Sequence, residues 1–140
     1  MANYYGSART NAVTIIDKAG LEKALEPFSG LTLSERQDGR VVFLGDDCDS
    51  GSFPSCAIDE GGNDLEFSWE EHIMPYVAEG EVLVIQEAGA ERLRYIVGYS
   101  VAYMRIGDEV KSVGVDINDI YEKVAAEFNL DVATINTAEY

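Results

Sequence analysis

Apolar residues recur along this chain in two rhythms: spacings of three to four residues, which mark amphipathic helices, and spacings of two, which mark half-buried strands. Ala12 to Ile16 reads as a strand. Asp17 then stands where an N-cap belongs, ahead of a helix whose Leu21, Ala24, Leu25 and Phe28 keep the helical spacing until Pro27 and Gly30 stop it. Leu31 to Glu35 and Arg40 to Leu44 read as a hairpin around Gln37-Asp38-Gly39, because Asp-Gly between apolar runs supplies the positive φ that tight turns require.

Ser68 followed three residues later by Glu71 forms a capping-box pattern, and His72, Ile73, Tyr76 and Val77 continue that helix toward Gly80, shortened or bent by Pro75. Val82 to Ile85 is a continuous apolar run suited to a strand covered on both faces, with a turn expected at Ala88-Gly89-Ala90. From Leu93 the odd positions are unbrokenly bulky: Leu93, Tyr95, Val97, Tyr99, Val101 and Tyr103. The even positions Gly98, Ser100 and Ala102 are small. Gly107-Asp108 turns the chain into Val110 to Val115, and Asp116 is placed to cap a last helix with Ile117, Ile120, Tyr121, Val124, Ala125 and Phe128 on one stripe.

This order predicts an α+β domain spanning residues 1 to 140, with a mostly antiparallel sheet, two or three helices on one face and the other face partly open. A ferredoxin-like relative is the first expectation. The Tyr95, Tyr99 and Tyr103 stripe can face either the helices or solvent. Facing the helices it is core. Facing solvent it offers a second surface, either a dimer interface or a stacking platform for single-stranded nucleic acid, although only Arg92, Arg94 and Arg105 lie near it to hold phosphates.

Charge changes the picture most. Between Arg40 and Arg92 there are 51 residues without Lys or Arg, and they hold 13 of the 26 acidic residues, hence 13 of the 16 net negative charges. A loop-rich acidic segment is expected at about residues 46 to 66. Such a balance disfavours nucleic acid and anionic membranes as direct partners, since both are held mainly by cations. Basic proteins are the expected partners. The opening residues lack a signal-peptide core and no apolar run reaches bilayer length, so the expected location is the cytoplasm.

Asp46, Asp47, Asp49, Asp59, Glu60, Asp64, Glu66, Glu70 and Glu71 form the candidate partner-binding set. Strand and helix spacings can set such carboxylates in rows that resemble a phosphate backbone. A solvated acidic face without a partner and adaptation to a salty cytoplasm are the competing explanations, but the excess is localised rather than spread. Chemistry finds little else. Phosphate-loop and nucleophile-elbow motifs are missing, His72 is the single histidine, and Cys48 and Cys56 make too small a ligand set with it for structural zinc. Asp47, Asp49 and Gly51 start a calcium-loop pattern that is not completed. No catalytic residue, metal or cofactor is expected, and the two thiols are expected to be free. A small enzyme using paired carboxylates, the reading from a third class, would need a concave pocket of acids with displaced pKa values.

The opening Asn3-Tyr4-Tyr5-Gly6-Ser7-Ala8-Arg9-Thr10-Asn11, the block Gly89-Ala90-Glu91-Arg92-Leu93-Arg94-Tyr95-Ile96-Val97-Gly98-Tyr99, and Asp119-Ile120-Tyr121 together resemble a family of small acidic proteins carried by phages, plasmids and integrated mobile elements. The resemblance implies a setting in which non-enzymatic inhibitors of restriction or CRISPR systems are common, and it brings no catalytic residues. The expected function is therefore a DNA-mimic inhibitor of a host defence nuclease. The alternative is a mobile-element accessory protein that dimerises through the Tyr-rich sheet face. Arg9 and Asn11 stand either as a binding site or as a polar strand cap that fixes the N-terminus.

Overall fold

A computed structural model describes residues 4–46, 51–91 and 95–138. Among the described residues eight strands and three helices follow one another: β1 (Tyr4–Thr10), α1 (Lys18–Leu25), β2 (Leu31–Glu35), β3 (Val41–Gly45), β4 (Cys56–Ile58), β5 (Asp64–Glu66), α2 (Trp69–His72), β6 (Val82–Glu91), β7 (Tyr95–Ile106), β8 (Glu109–Asp116) and α3 (Asp119–Phe128). Single 3-10 turns at Met74–Tyr76 and Val132–Thr134 complete it. Six strands make one sheet in the order β2-β3-β1-β6-β7-β8, and β4 and β5 form a separate hairpin. The α+β class and the antiparallel sheet are as the pattern predicts. The ferredoxin-like arrangement is not what forms: its split βαβ units need parallel strands joined by crossovers, whereas every pairing here is antiparallel.

Local signals act as expected at several places. Asp17 caps α1 by accepting the Gly20 amide at 3.0 Å, and Leu21 and Leu25 are the residues that helix buries. The β2–β3 hairpin turns at Gly39 with φ +83°. Ser68 Oγ accepts the Glu71 amide at 3.3 Å, but the return half of the capping box is filled differently: the Ser68 amide lies 3.0 Å from His72 Nδ1. The helix ends one residue later, and Pro75 sits in the 3-10 turn that follows.

Two expectations are corrected. The first strand is Tyr4–Thr10, while Val13 and Ile15 are buried in a following segment whose strand pairing is limited to single bridges, Val13 to Val41 and Ile15 to Val77. Ala88-Gly89-Ala90 is not a turn but the middle of a strand pairing β1 on one side and β7 on the other. Gly6 and Gly89 are opposed there, and the Tyr4 ring lies across both, in the space their missing side chains leave.

Register sorts the sheet into two faces, since directly opposed residues share a face. Leu83 opposes Tyr103, Ile85 opposes Val101 and Glu87 opposes Tyr99. That face carries the core, in which Leu83, Ile85, Val41 and Phe43 pack against Leu21 and Leu25 of α1 and Ile73, Met74 and Val77 after α2. Phe53, Phe67 and Trp69 close its end, Trp69 meeting Phe43, Phe53 and Phe67 edge-on. The opposite face stays open along β6, β7 and β8. Helix α3 does not cover it: α3 packs against the Val132–Thr134 turn, and only Ala125 of its expected apolar stripe is buried. Among the described residues no helix is long and apolar enough to cross a membrane.

Candidate functional site

The acidic candidates gather on the β4–β5 hairpin and the start of α2. In β5 Leu65 turns inward onto the core, so its neighbours Asp64 and Glu66 point outward, about 6.7 Å apart by strand geometry. Asp59 shapes the turn between the strands: its Oδ1 accepts the amides of Gly61 at 2.9 Å and Asn63 at 2.8 Å. The Asn63 amide bond is the main reason its carboxyl is held below the usual range, so it carries its charge firmly. Glu60 stands exposed at the same tip, and Glu70 and Glu71 are exposed in the first turn of α2, where the helix dipole favours negative charge.

Asp46, Asp59, Glu60, Asp64, Glu66, Glu70 and Glu71 are all exposed, and none pairs with a Lys or Arg among the described residues, where Lys18–Glu35 is the ion pair. Asp47, Asp49 and Cys48 lie outside the described residues. Asp46 is set apart from the hairpin, its amide bonded to the Gly30 carbonyl at 2.7 Å. Among the described residues no group of three His, Cys, Asp or Glu side chains could hold a metal ion. The carboxylates thus line a surface rather than converge on a point.

The tyrosines go elsewhere. Tyr99 and Tyr103 are half-buried on the helix-covered face and pack against the core, and the Tyr95 side chain lies outside the described residues. Burial first, then the charges of Glu87, Tyr4 and Tyr103, pushes the Tyr99 hydroxyl up to about 12. Tyr103 is raised by burial and by Glu70. His72 is also committed to packing, its ring stacked on Phe67 and edge-on to Phe28. Cys56 is an exposed free thiol.

Asn11 is the strand cap: its side chain donates to the Val82 carbonyl at 2.9 Å and accepts the Val84 amide at 2.8 Å, tying the end of β1 to β6. Arg9 instead reaches the open face, where with Ser7, Ala88, Gly98, Ser100 and Ile117 it lines a shallow groove of about 540 Å³. This is the partly open face expected from the sequence, but the residues on it were not identified there. Its signal was the even positions of β7 and the Val113 and Val115 alternation of β8, which the bulkier tyrosine rhythm overshadowed. No family model matches the chain, and no match was found among curated proteins or solved structures.

Proposed function

We propose that this chain is a non-enzymatic acidic binding protein that occupies the basic, nucleic-acid-handling surface of another protein through the β4–β5 hairpin and α2, as a DNA-mimic inhibitor of a defence nuclease of the restriction or CRISPR type. The observation that carries this reading is the set of exposed carboxylates on those two elements, unpaired with any Lys or Arg among the described residues. Charges closer than the screening length of about 8 Å at physiological salt act together on a cationic cleft. A rigid two-stranded hairpin holds them in place at little entropic cost on binding. The accessory-protein alternative loses its tyrosine face to the core, but the open side of the same sheet provides a different contact surface.

The test is inhibition of plasmid cleavage by a panel of restriction enzymes and CRISPR effector complexes, with capture measured at low and high salt. Asp59→Asn, Asp64→Asn, Glu66→Gln, Glu70→Gln and Glu71→Gln together should abolish inhibition and remove most of the salt dependence. Unchanged inhibition by this variant excludes the mimic reading.

A further inference from the structure

We infer that the open face of the sheet is the contact of a symmetric homodimer, in which the β6-β7-β8 faces of two copies pack on each other. This goes beyond the decoy reading and does not depend on it. Val82, Ile96, Val113 and Val115 stand between 44% and 71% exposed on that face, and Tyr5, opposite Ala90, is 65% exposed on it. With Ile106 and Ile117, at 47% and 46%, these side chains present on the order of 100 Å² each. Together they offer on the order of 700 Å² per protomer, within the range each partner contributes to a standard stable interface. Apolar patches of that extent on a soluble chain mark a contact surface.

Charge selects a second copy as the occupant. The chain carries 16 net negative charges, so most surfaces of two copies repel. The open face is less one-sided: Arg9 and Lys111 line its grooves beside Glu87 and Asp116, and Glu109, opposite Ile106, stands on the same side of β8. A two-fold axis lets the cations of one copy meet these carboxylates of the other, and each contact is made twice. Two antiparallel faces about 10 Å apart give an ordinary sandwich core, to which the edge strand β8 contributes Val113 and Val115. The acidic hairpins, on the opposite side, end up on the two outer surfaces, where their repulsion is least.

Light scattering behind size exclusion, and sedimentation equilibrium between about 1 and 100 µM, test this on the full chain. The expected mass is twice the 15.3 kDa of one chain. Val113→Glu with Val115→Glu should weaken association at least about a hundredfold, whereas Ile58→Glu, on the hairpin, should leave it unchanged. A single-chain mass at every concentration, a mass that keeps rising past two chains, or a dimer indifferent to the double substitution overturns the proposal. If the double variant loses its far-UV circular dichroism spectrum, Ile96→Glu on β7 is read by the same masses and decides in the same way.

Discussion

Ile117 lies directly over Gly98: the Ile117 amide donates to the Gly98 carbonyl at 2.9 Å, and a Cβ added to Gly98 would sit 2.7 Å from the Ile117 Cγ2 methyl. The pair joins the end of β8 to the middle of β7 and sets the direction in which α3 leaves the sheet. Gly98→Val should force Ile117 away and cost about 1–3 kcal/mol, as overpacking does. Urea unfolding checks the magnitude. Weakened near-ultraviolet or NMR signals confined to α3 would show that the loss is local.

Thr10 is the buried polar side chain of the described core. Its Oγ1 accepts the Phe43 amide at 3.0 Å and donates to the Asn11 carbonyl at 2.8 Å, standing in for backbone pairing where β1 leaves β3 after the Arg9–Leu44 pair. Thr10→Val keeps the shape and strands the Phe43 amide without a partner. The expected loss is about 1–3 kcal/mol in urea unfolding, while Thr10→Ser, which keeps the oxygen, should recover most of the hydrogen-bond share.

Much of this architecture is written locally. Asp17, Gly39 and Ser68 act through neighbours three residues away or fewer, so a cap or turn was readable before any tertiary contact formed. What was illegible depends on partners distant in sequence. Tyr4–Thr10 has small Gly6, Ala8 and Thr10 facing inward and weak strand character, and its pairing with β6 decides its conformation. Gly89 reads as a turn residue until Tyr4, 85 positions earlier, is laid across it. The stripe on α3 signals a burial that the fold provides only at Ala125, and Ile120 and Phe128 remain exposed. Carboxylate exposure followed from charge alone, whereas the side of the sheet taken by Tyr99 and Tyr103 was set by register with Leu83 and Glu87.

Arg105 binds three carbonyls at once, with Nε on Met74 at 3.2 Å and the two terminal nitrogens on Val77 at 2.8 Å and Gly107 at 3.0 Å. It thereby fastens the segment after α2 to the β7–β8 turn, a fork that a single ammonium cannot match. Arg105→Lys should cost about 1–3 kcal/mol. Amide exchange at Val77 and Gly80 should quicken before global unfolding, since the Gly80 amide bonds the Arg105 carbonyl at 2.9 Å.

Tyr99 makes the fold sensitive to alkali. Its hydroxyl is raised from 10.0 to about 12, chiefly by burial and next by Glu87. The folded state therefore keeps a proton that the unfolded chain has lost, and stability must fall wherever the folded state binds more protons. The contribution is whole below pH 10 and is lost as pH climbs through about 12. Urea midpoints measured between about pH 9 and 11.5 should drop for the natural chain, and Tyr99→Phe should flatten that slope. Absorbance titration near 295 nm should show a phenol that ionises near pH 12 disappear in the same variant. A midpoint that falls equally with or without the Tyr99 hydroxyl would assign the alkaline loss to Tyr103, which burial and Glu70 also raise.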